Sequence, residues 1–296
     1  MASITVLIPA RNASRTLAQT LDSLAAQTLQ DFDVLIVDDA SSDHTAALAQ
    51  SYVQRMPIEV LSLAENAGVA GALNRGLVRI SSPYIARIDA DDIAQPTRLE
   101  KQLQFLQSNP QVDVCSTAME LFFETPGRPN QILAKPQDDS IIKTALVQYC
   151  SMSHGASMFR KSFFDDVGVF DLRLDFAEDY DLWCRGALLG KRYANLPEAL
   201  TLYRQHDAQV GQQKRQLQYE RDLMIKRKYI GALLGGESAG YLAEFFSLQS
   251  VFSSQEIASK VLAQSFPLLL KLGQRVTHEK TYSDLVTGCI ARHLRT

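Results

Sequence analysis

Four short strand-like stretches, residues 4–8, 34–37, 58–63 and 84–88, constrain this chain more than any other feature, because the first three are each followed by a stretch at helical spacing. A run that is apolar throughout suits a strand buried on both faces. Strand and helix in alternation predict βαβ units, hence a parallel sheet with right-handed crossovers. The first strand is expected to stop at Pro9, and Pro9, Ala10, Arg11 and Asn12 to form a loop. Ser14 is placed to cap a helix carrying Leu17, Leu21 and Leu24. Further helices are expected from Ser41-Ser42-Asp43 to about Arg55, over 69–80, and over 97–107 behind Pro96.

The parallel reading fixes where the acids go. Parallel strands all end on one edge, where ligands of such sheets bind. Asp38 and Asp39 follow the second run and Asp89, Asp91 and Asp92 follow the fourth, so the two groups are expected to converge. Two like charges about 4 Å apart repel by roughly 4 kcal/mol at an effective dielectric near 20, which calls for a cation or for protonation of one member. If the strand persists, Asp89 and Asp91 point to the same side. Oxygen donors without cysteine suit Mg²⁺ or Mn²⁺. An acidic turn ahead of a helix is the plainer alternative, since anions favour helix N-termini.

Composition removes several function classes. With 30 Lys and Arg against 33 Asp and Glu, the net charge of -3 is not that of a nucleic-acid binder. Cys115, Cys150, Cys184 and Cys289 lack any C-x-x-C or metal-ligand spacing and read as free thiols of a reducing compartment. The chain enters its first apolar run at once and shows no secretory pattern, and no window reaches about 18 uninterrupted apolar residues, so a soluble, cytoplasmic protein is expected. The stretch from Asn66 to Gly76 opens a helix but carries neither G-x-G-x-x-G nor a P-loop.

Beyond residue 107 the alternation becomes irregular. Residues 113–123 read as a strand pair or hairpin, 125–129 as a loop, 138–148 as a helix, 151–160 as extended and 161–167 as a short helix. Glu178 and Asp179 fall at the start of a helix whose apolar face includes Leu182, Trp183 and Leu189. Asp181 suffices as a first-turn acid, so Glu178 and Asp179 suggest a general base. Trp183 is better placed as a core anchor than as a sugar platform. The segment 195–207 ends in Arg204 and His206. Further helices are expected over 212–229, 239–246, 255–272 and 281–294. Lys214, Arg215, Arg221, Lys226, Arg227 and Lys228 lie on the first. They read as a solvated face, with attraction to anionic lipid as the alternative.

Taken in order and spacing, Pro9-Ala10-Arg11-Asn12, Asp38-Asp39, the glycines from Gly68 to Gly76, Asp89-Ala90-Asp91-Asp92, Glu178 through Trp183 and Tyr203-Arg204-Gln205-His206 resemble the family 2 inverting glycosyltransferases over about residues 3–210. The resemblance implies a GT-A fold: an α/β, Rossmann-like, mostly parallel central sheet flanked by helices. It divides the chain into a nucleotide-binding half (1–108), an acceptor-binding half (109–210) and a helical C-terminal extension (211–296). It implies a UDP- or dTDP-sugar donor and transfer to a saccharide or lipid-linked saccharide hydroxyl in polysaccharide or glycolipid synthesis, at or near the inner membrane face.

By the same resemblance, Asp38 and Asp39 contact the base, and Pro9, Ala10, Arg11 and Asn12 line the base and ribose pocket. Asn74, Arg87, Asp89, Ala90 and Arg204 join the donor site. Asp91 binds Mg²⁺ or Mn²⁺ with help from His206, Asp179 is the catalytic base, and Glu178 is its acidic neighbour. His154-Gly155-Ala156-Ser157 would border the donor sugar and acceptor. A sugar-phosphate nucleotidyltransferase would need a glycine-rich basic loop where Ala10-Arg11-Asn12-Ala13 stands, and a non-catalytic nucleotide-sugar binder would not need Glu178 and Asp179.

Overall fold

The computed structural model describes residues 2–123, 128–205, 215–236, 239–247, 261, 265 and 267–293. Four parallel strands form its first half: β1 (Ile4–Ala10), β2 (Phe32–Asp38), β3 (Ile58–Ser62) and β4 (Tyr84–Arg87), in spatial order β3-β2-β1-β4. Helices α1 (Leu17–Ala25), α2 (Thr45–Ser51) and α3 (Gly68–Leu77) make the connections. The side chains of β1 divide between two apolar layers. Ile4, Val6 and Ile8 pack with Leu17, Leu21 and Leu24 of α1, while Leu7 packs with Leu73 and Leu77 of α3. The alternation of facing is why a continuous apolar run was required.

Local details depart from the sequence reading. Strand β1 does not stop at Pro9 but runs to Ala10, with Pro9 opposite Val37 of β2. Since β4 ends opposite Leu7, Pro9 forfeits no ladder bond on that side. Ser14 does not cap α1, which begins at Leu17 without a side-chain cap. Its N–H instead donates to Asp43 Oδ2 at 3.1 Å. Helix α2 is shorter than expected and starts at Thr45, whose N–H donates to Asp43 Oδ1 at 3.0 Å.

The second half turns the sheet antiparallel. Strand β8 (Met158–Arg160) pairs antiparallel with both β4 and β6 (Val114–Phe123), and β6 pairs parallel with β9 (Tyr193–Gln205). The two-residue β5 (Ile93–Ala94) closes the far edge on β9, and β7 (Gln131–Leu133) hangs from β6. Residues 113–123 are thus one long strand rather than a hairpin, and the segment 151–160 contains a 3-10 turn at His154–Ala156 before β8. Helices α4 (Arg98–Ser108), α5 (Asp139–Ala145), α6 (Lys161–Val167) and α7 (Glu178–Leu188) complete the layers. Trp183 is fully buried and stacks on Phe159 at 5.4 Å between centroids, a core anchor.

The C-terminal helices α8 (Arg215–Leu233), α9 (Gly240–Phe246) and α10 (Glu279–His293) pack on this core through Ile225, Tyr229, Ile230, Phe245 and Cys289. Most of the helix expected over 255–272 lies outside the described residues, as do Lys214 and the 210/211 boundary. The basic run is paired with acids, Lys226 inside the protein and Arg227 and Lys228 on its solvent-exposed side. Lys226 is buried against Asp222 at 2.6 Å, Arg227 meets Glu244 at 3.2 Å and Lys228 meets Asp181 at 3.4 Å. Arg221 lies over the Phe176 ring at 5.5 Å. Among the described residues no helix is long and apolar enough to cross a membrane.

Candidate functional site

The acid cluster sits in a turn rather than on a strand. After β4 ends at Arg87, the N–H of Asp92 returns to the Asp89 carbonyl at 3.2 Å. Asp92 is thereby swung inward and fully buried, its Oδ1 accepting the N–H of Arg204 at 3.0 Å and its Oδ2 without a partner. Asp89 and Asp91 stay half-buried. Burial, then Asp89 and Asp91, push the Asp92 carboxyl well above the usual carboxylate range. The expected crowding of charge is therefore real, and it falls hardest on the innermost acid.

Cations brace the turn from below. The Arg87 guanidinium is buried and pairs with Asp89. Burial works against its charge, but Asp89, Asp92 and Glu178 together hold its pKa above the ordinary value. Arg98, also buried, donates to the Arg87 carbonyl at 2.5 Å and to Gln102 at 3.1 Å; burial brings it down to about 10. Arg204 donates through Nε to the Asp91 carbonyl at 2.8 Å, reaches Gln19, and lies over the Phe122 ring at 4.7 Å. It thus holds the backbone of the turn.

The 3-10 turn at His154–Ala156 forms one wall. It is brought there by β8, since the N–H of Arg87 donates to the Ser157 carbonyl at 2.9 Å. A Cβ on Gly155 would lie 2.8 Å from Asp89 Oδ2, 3.0 Å from Arg87 Nη1 and 3.3 Å from Asp92 Oδ2. His154 is buried among Phe159, Phe170 and Trp183, and burial with Arg87 nearby keeps it neutral.

The register places the second acid pair on the same edge. Ala10 is opposite Asp38, and the Asp39 N–H donates to the Ala10 carbonyl at 2.8 Å. Asp38 is buried with Oδ1 unpartnered, while the Asp39 carboxylate takes the N–H groups of Ala67 at 2.6 Å and Gly68 at 3.1 Å at the head of α3. A carboxylate offers about four acceptor positions, so Asp39 keeps capacity for a further donor. Asn12, at φ +49°, accepts from the Ser42 N–H at 2.8 Å and donates to Ser41 Oγ at 2.9 Å. The exposed Arg11 reaches the Asp39 carbonyl at 3.4 Å. By contrast, both ends of the Asn74 amide are held by the Phe170 backbone, at 2.8 and 2.9 Å, so this side chain staples α3 to the segment before α7.

Glu178 and Asp179 open α7. The preceding Phe176 adopts φ +76°, a costly conformation for an aromatic residue, held by Gln218 on its carbonyl at 3.0 Å and by Arg221 over its ring. Helix α8 therefore fixes the approach to α7, a role with no signature in the sequence. Glu178 is buried with Oε2 unpartnered, and burial with Asp179 beside it pushes it up to about 8. Asp179 is half-buried and, chiefly by burial, also raised. Arg87 lies near enough to favour the ionised forms of both, so one cation joins the acid turn to the acids of α7. His206 lies outside the described residues.

The sequence model of Glycosyl transferase family 2 matches residues 5–168. The chain is 32% identical over 215 residues to the amylovoran biosynthesis glycosyltransferase AmsE of Erwinia amylovora, covering 72% of this chain and 80% of the relative. It is 33% identical over 201 residues to EpsE of Bacillus subtilis, covering 67% and 71%. Among solved structures it resembles S. aureus TarS 1-349 in complex with UDP-GlcNAc (TM-score 0.62, 19% identity, 94% of this chain and 82% of that one). It also resembles the mannosyltransferase PcManGT of Pyrobaculum calidifontis in complex with GDP-Man and Mn²⁺ (TM-score 0.59, 15% identity, 99% and 87%). The chain belongs to glycosyl transferase family 2 and has the GT-A fold.

Proposed function

From that membership, we propose that the protein transfers a sugar from a nucleoside diphosphate sugar, UDP- or dTDP-linked, to an acceptor hydroxyl with inversion at the anomeric carbon. The observation that carries the reading is the buried Arg87, which pairs with Asp89 of the acid turn and bears electrostatically on Glu178 and Asp179. Donor-site acids and a candidate base are thereby held around one cation. Asp38 and Asp39 would receive the base, with Pro9, Ala10, Arg11 and Asn12 beside it, and Asp89 and Ala90 the ribose side. Arg204 would act on the diphosphate by holding the Asp91 turn. Binding of UDP-GlcNAc by TarS and the role of AmsE in amylovoran biosynthesis support a nucleotide-sugar donor and an acceptor in polysaccharide synthesis.

Asp91 would hold Mg²⁺ or Mn²⁺. The donor set fits a hard cation: carboxylate oxygens, half-exposed, with charge repulsion that already drives Asp92 toward protonation. No group of three or more His, Cys, Asp or Glu among the described residues is arranged to hold a cation by itself, so diphosphate oxygens would complete its shell. When bound, the cation supplies Lewis-acid stabilisation of charge on the leaving diphosphate. PcManGT, solved with GDP-Man and Mn²⁺, supports this assignment. Asp179 takes the proton of the acceptor hydroxyl as that oxygen bonds to the anomeric carbon and the bond to the diphosphate breaks. A base poised above the ordinary Asp value accepts that proton more readily, and burial sets Asp179 in that direction.

The test is thermal stabilisation by a panel of UDP, dTDP and GDP sugars with and without Mn²⁺, a ligand of the native state raising Tm. Asp91→Asn should lose the Mn²⁺-dependent increment, and Asp179→Asn should bind donor normally but release nucleotide at a small fraction of the wild-type rate. Wild-type turnover by Asp179→Asn overturns the base assignment.

A further inference from the structure

Two neighbours of Asp179 have no part in the reading above. Its Oδ1 accepts the N–H of Tyr180 at 2.8 Å, and its Oδ2 faces Cys150 Sγ at 3.5 Å. The carbonyl of Cys150 accepts from Lys135 Nζ at 2.9 Å, and the same ammonium stands 5.8 Å from the Tyr149 ring. Lys135 is half-buried. It makes no ion pair with a carboxylate among the described residues; the Cys150 carbonyl and the ring are its partners.

This arrangement is built into the fold. Asn195 of β9, itself buried, donates through Nδ2 to the carbonyls of Pro136 at 2.5 Å and Ser151 at 3.1 Å, and its N–H goes to the Gln137 carbonyl at 3.1 Å. One residue thus holds the segment that carries Lys135 and the segment that carries Cys150. A cation drawn partly out of water without a counter-ion costs stability, so its place beside a raised carboxylate invites a functional account.

We propose that Lys135 and Cys150 are positioning residues for Asp179, the thiol fixing the orientation of its Oδ2 and the ammonium keeping it ionised for the incoming hydroxyl. This rests on the reading of Asp179 as the base. The other groups around Asp179 have different duties: Arg87 on β4 is paired with Asp89, Glu178 is an adjacent acid, and His154 is neutral. On α8, Lys226 is paired with Asp222 and Lys228 with Asp181, and the carboxylate of Asp175 precedes α7. Lys135 is the cation near Asp179 that no carboxylate already claims among the described residues.

The experiment is a carbon-13 carboxyl titration of the whole protein, with the Asp179 resonance identified by its loss in Asp179→Asn. Lys135→Met should raise the Asp179 midpoint, the direction in which loss of a nearby opposite charge moves a carboxylate. Lys135→Arg should restore it, Cys150→Ala should raise it at least as much as Lys135→Met, and Cys150→Ser should recover that part. The acidic limb of nucleotide release from the donor chosen by the thermal panel should move with the midpoint, while Tm and donor affinity stay near wild type. An unchanged midpoint in folded Lys135→Met overturns the inference and leaves the base assignment standing. Wild-type turnover by Asp179→Asn overturns both.

Discussion

Gly155→Ala is the substitution that most directly tests how tightly the acid turn is walled. The added methyl would sit 2.8 Å from Asp89 Oδ2, 3.0 Å from Arg87 Nη1 and 3.3 Å from Asp92 Oδ2. None of the three yields freely. Asp92 is fully buried and tied to the Arg204 N–H, and Arg87 is buried with its own N–H on the neighbouring Ser157 carbonyl. The turn itself is held from behind by Gln102 on the Ala156 carbonyl at 2.9 Å. Asp89, about one-third exposed, is the part that can swing away, at the cost of its pair with Arg87.

Overpacking of this kind costs about 1–3 kcal/mol. At roughly 2–4 °C per kcal/mol, Tm should fall by about 2–12 °C. Displacing Asp89 should also weaken binding of UDP with Mn²⁺, by about tenfold for each ~1.4 kcal/mol transmitted to the site. Differential scanning fluorimetry and titration calorimetry read the two effects. Gly288→Ala is the control: its Cβ meets nothing within 4 Å on an exposed face of α10, so it should be neutral or slightly stabilising. If Gly155→Ala matches that control in both Tm and UDP affinity, the turn is not packed as described and the reasoning fails.

The buried acids set a pH dependence. Glu178 stands at about 8 in the folded protein against an ordinary 4.5, so between those values the native state keeps a proton that the unfolded chain has released. Stability of the ligand-free protein should therefore fall as pH rises from 4.5 to about 8, with Asp92 acting in the same direction. Glu178→Gln should flatten the curve, and denaturant midpoints unchanged by that substitution across this window would refute the account. Trp183→Ala removes a fully buried ring stacked on Phe159 and should cost about 3–5 kcal/mol without altering donor specificity. Altered specificity in a folded Trp183→Ala protein would count against its being a core anchor.

The nucleotide-binding half was largely legible because local signals carry it. Runs such as 34–37 can hardly be buried other than as central strands, and parallel strands send Asp38-Asp39 and Asp89-Ala90-Asp91-Asp92 to one edge without further information. Predictions that leaned on a single residue fared worse. Ser14 was expected to cap α1, but an acceptor 29 positions away in sequence, the Asp43 carboxylate, holds its N–H instead. The strand expected to carry Asp89 and Asp91 on one side ends at Arg87, since Asp92 gains more by turning inward to Arg204, which arrives from β9.

The sequence by itself determined the parallel half of the sheet, its edge and the acids gathered there, because the alternation of strand and helix periodicity is a local property of the chain. Tertiary structure alone decided which acid is buried, which cation compensates it and what surrounds the base. Arg87 joins Asp89 to Glu178 and Asp179, Gly155 packs against all but the last two, and Lys135 meets Cys150 beside Asp179. These meetings depend on an antiparallel β8 and on segments hung from β9, contacts between residues far apart in sequence, and no local pattern encodes a charge balance struck across such distances.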